Sequence, residues 1–274
     1  MMNPLMKVQK EMTEIVGLIP AAGTADRISP LPCSKEIFPV GYQRLDGLNG
    51  PRPKVAAHYL LEKMKAAGAR KSYIVLRKGK WDIPAYFGSG RSLDSSLAYL
   101  VMDLPYGAPF TLDQAFDFIH ADTILFGFPD ILFRPFNAYS VLLERLAESA
   151  ADIALGLFPA HNPQKMDMVV LDDTGKIRGL DIKPETTRLK YTWIIAVWTP
   201  EFTGFMHRHL KERQEAVAST IEAGGRELYV GDVIQAALEG GLHVEHVVFG
   251  DGDYLDIGTP EDLIQADAFA SHDP

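Results

Sequence analysis

Residues 14–41, EIVGLIPAAGTADRISPLPCSKEIFPVG, constrain this chain more than any other stretch. Ile15, Val16, Leu18 and Ile19 form a short apolar run with β-branched residues, long enough for one buried parallel strand and too short for an average helix. Ala21, Ala22, Gly23, Thr24 and Ala25 follow at once, so the backbone can turn tightly and bring its N–H groups against a bound anion. Arg27 and Lys35 add positive charge beside that turn. Pro30, Pro32 and Pro39 then keep a regular helix from starting directly after it. A dinucleotide fingerprint or a Walker loop runs from its glycines straight into a helix whose N-terminus meets the phosphates, and neither glycine spacing occurs here. The expectation is a phosphate loop made of backbone amides, one guanidinium and one ammonium.

Strand and helix patterns alternate through the rest of the chain. An irregular excursion over 42–53 leads to a predicted helix over 55–68 and a second strand over 72–76. A short helix over 83–87 follows, then a third strand over 97–102 ended by the turn Pro105-Tyr106-Gly107. A helix over 110–119 and a buried strand over 123–126 come next. Beyond them the patterns predict a helix over 136–149, a strand over 153–158 and a hairpin of 168–171 with 177–180. Thr199-Pro200-Glu201 opens a helix, 232–238 is helical, 244–249 is a strand, and Thr259 caps a last helix with Pro260 at its first position. This alternation belongs to an α/β fold with a parallel sheet. Such sheets bind ligands beyond the C-terminal ends of their strands. Asp130 lies at such an end and suits Mg²⁺, which arrives with nucleoside triphosphates and takes oxygen ligands. The alternative is a turn aspartate after a proline.

Composition limits the functions available. With 274 residues, 47% hydrophobic and 23% charged, the chain has the balance of a soluble globular enzyme. A formal charge of −9 and a pI near 5.4 argue against a nucleic-acid partner, while leaving anionic small molecules open. Apolar runs such as 191–198 are far short of a membrane span, and the opening MMNPLMKVQKEM lacks the apolar core of a signal peptide. No membrane partner and a cytoplasmic location are therefore expected. The single cysteine, Cys33, excludes an internal disulfide and a cysteine-rich metal site, and reads as structural. His207, His209, His243 and His246 follow no zinc pattern.

The order of strand, AAGTADR, SP and SKEIFPVG resembles the signature loop of the sugar-1-phosphate nucleotidyltransferases, with Gly23, Arg27, Pro30, Lys35, Pro39 and Val40 in register. FGFPDILF resembles the segment in which that family holds a metal with an aspartate. Asp181-Ile182-Lys183-Pro184 resembles its Glu-x-Lys-Pro, whose lysine holds the sugar phosphate. Tyr254-Leu255-Asp256-Ile257-Gly258-Thr259-Pro260-Glu261-Asp262-Leu263 resembles the stretch that closes the family's core, whose first aspartate is the other metal ligand. The resemblance covers Ile15 to Ala268. It implies a Rossmann-like, mixed, mainly parallel sheet flanked by helices, the nucleotide-diphospho-sugar transferase fold, with a small β-rich acceptor-binding portion. One domain, 1–274, would bind nucleotide through 14–130 and acceptor through 131–270. The implied reaction moves a nucleoside monophosphate from a nucleoside triphosphate to a sugar 1-phosphate and releases pyrophosphate, with Mg²⁺ between Asp130 and Asp256. Arg27, Lys35 and Lys183 are the implied catalytic residues. Ala21, Ala22, Gly23, Thr24, Ala25, Met102 and Gly107 are the implied nucleotide contacts.

The departures from the family pattern fall on site positions. Ala25 stands where the family has a second glycine, and Asp26 adds a carboxylate to the loop. Met102 takes the place of the glutamine with which thymidylyltransferases read the base, and a thioether cannot donate and accept as an amide does; core filling is its other reading. Ile182 replaces a carboxylate and Trp193-Ile194 a small pair of the sugar pocket, which points to an acceptor smaller, less hydroxylated or differently placed than glucose 1-phosphate. Two alternatives stay open: a catalytically impaired regulatory subunit, and a transferase acting on a non-sugar phosphate. The base, the acceptor and the oligomeric state, a homo-oligomer included, are left undecided by the sequence.

Overall fold

The computed structural model describes residues 13–44, 49–104 and 106–271. The chain runs β1 (Ile15–Ala21), β2 (Pro39–Gln43), β3 (Arg52–Val55), α1 (Ala56–Ala66), β4 (Lys71–Arg77), α2 (Asp82–Phe87), β5 (Ser96–Met102), α3 (Ala108–Asp113), α4 (Phe116–Ile119), β6 (Thr123–Gly127) and β7 (Ile131–Arg134). It continues through α5 (Ala138–Ser149), β8 (Ile153–Pro159), β9 (Asp167–Leu171), β10 (Ile177–Ile182), β11 (Tyr191–Trp198), α6 (Pro200–Glu222), α7 (Val230–Glu239), β12 (Val244–Val248), β13 (Asp253–Asp256) and α8 (Pro260–Ala270). Among the described residues nine strands form one sheet in the order β10-β9-β11-β6-β1-β4-β5, with β8 also beside β11 and β12 beyond β8. Strands β6, β1, β4 and β5 are parallel to their neighbours in that run, and β11 lies antiparallel to β6. The sheet is thus mixed with a parallel core and helices on both faces, as expected.

Burial on both faces explains why the central strands read as continuous apolar runs. Along β1, Val16 and Leu18 enter the core shared with α3, α6 and α7, whereas Ile19 and Ala21 enter the one shared with α1, α2 and α5. Gly17 lies where β1 meets β4 and α1: a Cβ there would sit 2.4 Å from Ser72 Oγ and 2.9 Å from Met64 Sδ, so any side chain would displace both. In β11 the alternation breaks. Trp193 packs on one face while Ile194 and Ile195 both pack on the other, at the register shift between Trp193 and Ile195 against β8. Such a bulge re-aims side chains, and it lies at the rim of the cleft described below.

Several boundaries differ from the sequence reading. The helix expected over 110–119 is two, α3 and α4, and the first starts earlier, with Pro109 in its first turn. The ends of the excursion over 42–53 pair as the antiparallel ribbon β2–β3, with Tyr42 opposite Pro53; residues 45–48, like Pro105 of the predicted turn, lie outside the described residues. Thr199 does not cap α6, since its hydroxyl donates instead to the Asp152 carbonyl at 3.4 Å. Thr259 does cap α8, accepting from the Asp262 N–H at 3.3 Å. Among the described residues no helix is long and apolar enough to cross a membrane.

Candidate active site

A cleft of ≈ 800 Å³ opens beyond the C-terminal ends of β1, β4, β5 and β6 and extends to β9, β10 and the start of α7. Ala22, Gly23, Thr24 and Arg27 line it directly after β1, whereas Ala21 is still buried within the strand. Ala25 does not line the cleft. It adopts the left-handed conformation, φ 58° and ψ 29°, from which its carbonyl accepts the Ile28 N–H at 3.1 Å and closes a single 3₁₀ turn. A glycine reaches that conformation without steric cost, which gives the glycine of the family pattern at this register a physical reason. Asp26 is exposed, accepts from Thr24 Oγ1 at 2.6 Å, and is not among the residues facing the cleft.

The strand β7, which begins directly after Asp130, brings the two candidate metal ligands together. It pairs with β13 so that Asp256 lies opposite Ile131, and Ile257 N–H donates to the Asp130 carbonyl at 2.9 Å. Lys35 reaches the same point and ion-pairs with Asp130. Burial alone would pull the Lys35 ammonium down, but Asp130, with Asp256 and Glu36 behind it, holds it above its usual range. Burial and the neighbouring Asp130 carboxylate push Asp256 up to about 6, against the pull of Lys35 and Arg27. Two converging carboxylates, one of them reluctant to ionise until more positive charge arrives, fit a divalent cation. Among the described residues no group of three or more His, Cys, Asp or Glu is placed to hold a metal. The pair therefore suits an ion that completes its shell with phosphate oxygens and water, as Mg²⁺ does.

At one end of the cleft Met102 and Gly107 face the cavity together with Arg77, Lys78, Asp103 and Thr111, which sequence reasoning missed. Arg77 ends β4 directly opposite Met102. Arg77 is half-buried and makes no ion pair or hydrogen bond among the described residues. Two basic residues closing a predicted strand were the available signal. Gly107 has φ +112°, and a Cβ on it would lie 2.1 Å from the Leu228 carbonyl oxygen, so it lets the β5–α3 turn touch the segment before α7.

At the other end Lys183 follows β10 with φ 46°, a strained value for a residue with a side chain. Its ammonium lies 3.5 Å from the centre of the Tyr229 ring, which Arg226 also covers at 4.8 Å. Trp193, Ile194, Met166, Lys165 and Asp167 complete this end, and Ile182 does not face it. Burial, only partly offset by Lys183, pushes Asp167 up to about 6. Asp167 Oδ1 and Trp193 Nε1 are both buried without a well-formed hydrogen bond. Asp167 opens β9 and left no mark in the sequence that set it apart from other strand-end acids.

The cleft therefore carries basic side chains at both ends and a carboxylate pair beside Lys35, an arrangement able to hold two phosphorylated molecules with one metal ion. Among solved structures, a protein from Bacillus anthracis assigned as a glucose-1-phosphate thymidylyltransferase, in complex with a sucrose, matches with a TM-score of 0.79 at 21% identity over 95% of this chain and 96% of that one. The inositol-1-phosphate CTP transferase from T. maritima matches with a TM-score of 0.67 at 17% identity over 91% of each chain. These two share the fold. No curated protein sequence matches significantly. The family model of the nucleotidyl transferases matches residues 16–272, from the first strand to the end of the last helix, and the chain belongs to that family.

Proposed function

We propose that this nucleotidyl transferase is a magnesium-dependent, cytoplasmic enzyme that moves a nucleoside monophosphate from a nucleoside triphosphate to a sugar 1-phosphate or a similarly sized phosphate. The observation that carries the reading is that one cleft is lined by Arg77 and Met102, by the loop with Arg27, by Lys35 with Asp130 and Asp256, and by Lys183. Residues 14–130 would hold the nucleotide and 131–270 the acceptor, with Asp256 crossing between them. The amides of 22–24 and Arg27 hold the β and γ phosphates, Lys35 the α-phosphate, and Lys183 the acceptor phosphate. Met102 and Gly107 flank the base, and Arg77 donates to an acceptor on the base or ribose. An acceptor phosphate oxygen attacks the α-phosphorus in line; that P–O bond forms as the bond to the β-phosphate oxygen breaks, and pyrophosphate leaves. The nucleophile is already an anion, so no general base is required and catalysis is positioning plus charge neutralisation. Mg²⁺ held by Asp130 and Asp256 would supply that neutralisation at the phosphate oxygens.

The position of Asp26 supports turnover over a purely regulatory role, because it is exposed and is not among the residues facing the cleft. Trp193, at the bulge, fills space at the acceptor end and supports an acceptor with fewer hydroxyls or less bulk than glucose 1-phosphate. The test is pyrophosphate release with Mg²⁺ across a panel of nucleoside triphosphates and phosphorylated acceptors. Release that requires one acceptor establishes the transferase and names both substrates; nucleotide binding without release from any pair sinks the reading.

A further inference from the structure

The segment that carries Lys35 is gripped from the connection between β4 and α2. Ser34 donates twice to the Asp82 carboxylate, its N–H at 2.7 Å and its hydroxyl at 2.8 Å. Two residues on, Lys80 Nζ donates to Glu36 Oε1 at 2.5 Å. That pair is buried, Glu36 being 2% and Lys80 9% exposed. Both grips fall on one 3₁₀ turn, Lys35–Ile37 with Ser34 before it, closed by Ile37 N–H to the Ser34 carbonyl at 3.0 Å. Lys35 itself points elsewhere, to Asp130. Asp130 follows β6 and the Lys80–Asp82 connection follows β4, strands that flank β1 on opposite sides. Lys35 is thus held at its backbone from one side of the phosphate loop while its ammonium reaches across to the other.

The grip is not a good stabiliser. Burying an ion pair costs more desolvation than it returns unless every lone pair is satisfied, and Glu36 Oε2 is buried with no partner. A buried charge kept under those conditions calls for a reason other than stability. Lysine has four rotatable bonds and three prolines deny this segment a helix, so its ammonium would otherwise be loosely placed. A displacement of about 1 Å in a group that orients a reacting phosphate costs up to roughly 100-fold in rate.

We propose that Asp82, Lys80 and Glu36 are positioning residues that clamp residues 34–37 and fix the Lys35 ammonium at the reacting phosphate. The inference rests on the reading of Lys35 as a phosphate-holding lysine. Asp82→Ala and Lys80→Met should each lower kcat by about 10- to 100-fold, and speed amide hydrogen exchange in the peptide spanning 33–37 without affecting the central strands. Glu36→Leu should behave like Lys80→Met, while Glu36→Gln, which keeps an acceptor for Lys80, recovers most of the turnover. In a Lys35→Ala background Asp82→Ala should cost no further turnover, because the clamp acts only through Lys35. Losses that add in that background, or an undiminished kcat in otherwise wild-type protein whose 33–37 peptide exchanges faster, overturn the clamp. If Lys80→Met does not fold, Asp82→Ala, at a half-buried carboxylate, carries the same comparison. If wild-type protein turns over no substrate pair, the nucleotidyl-transfer reading has failed; exchange at 33–37 then decides the clamp alone, faster in the variants supporting it and unchanged overturning it.

Discussion

Replacing Ala25 by glycine should make this protein more stable. Ala25 sits at φ 58°, ψ 29°, where its Cβ crowds the backbone. A left-handed alanine costs roughly 1–2 kcal/mol against the right-handed form, and glycine forfeits about 0.5–1 kcal/mol through its greater freedom in the unfolded chain. The net gain is about 0.5–1 kcal/mol, which for a chain of 274 residues raises Tm by about 1–3 °C. Ala150 provides a matched control far from the phosphate loop, because it ends α5 at φ 50°, ψ 36°. Ala150→Gly should give a gain of the same size, and the two should add within about 0.5 kcal/mol. Urea unfolding followed by circular dichroism reads both, as a higher midpoint at unchanged slope. A lower midpoint for either variant refutes the reasoning, since it means the alanine side chain contributes more in place than its backbone strain costs.

Three other substitutions probe the cleft. Asp167 holds its proton up to about pH 6 instead of its ordinary 3.8, so between those values the native state binds more protons than the unfolded one and stability falls as pH rises. Asp167→Asn should flatten that slope and gain on the order of 1–2 kcal/mol at pH 7, as urea titrations at a series of pH values would reveal; a slope identical to wild type contradicts the assignment. Trp193→Ala should cost about 3–5 kcal/mol of stability, because a large buried ring leaves a cavity, and should raise kcat/KM for hexose phosphates relative to smaller acceptors. A loss of activity towards all acceptors in parallel, in folded protein, would remove Trp193 from acceptor selection. Arg77→Ala should raise KM for the nucleoside triphosphate about tenfold with kcat little changed, the mark of an interaction equally strong in ground and transition states; an unchanged KM places Arg77 outside nucleotide binding.

How much the sequence disclosed depended on whether a feature was local. The parallel core was legible because β1, β4 and β6 are each buried on both faces and stand out as short apolar runs between turn residues. The β7–β13 ribbon was not, since Ile131–Arg134 is only four residues long and its partner strand lies near the other end of the chain. The bulge at Trp193–Ile195 was equally hidden, because the run from Trp193 to Trp198 is apolar throughout and carries no alternation to break. For the site, Gly23, Arg27, Lys35, Asp130, Lys183 and Asp256 were chosen from motifs, and they meet in one cleft with Met102 and Gly107. Ala21 and Ala25 were swept in by adjacency and do not face it. Asp167 and the Lys80–Glu36 pair were missed because their significance lies in contacts between distant segments, which residue spacing along one strand does not encode, whereas Arg77 left a local signal, two basic residues closing a strand.

The most direct test of nucleotidyl transfer follows the label. Wild-type protein with Mg²⁺ and the acceptor found active should be given a nucleoside triphosphate carrying ³²P at the α position, and in a parallel reaction at the γ position. Nucleotidyl transfer predicts α label in the acceptor-linked product and γ label only in pyrophosphate, with both signals reduced by orders of magnitude in Asp256→Ala. Label from the γ position on the acceptor, or wild-type yields from Asp256→Ala, would contradict it.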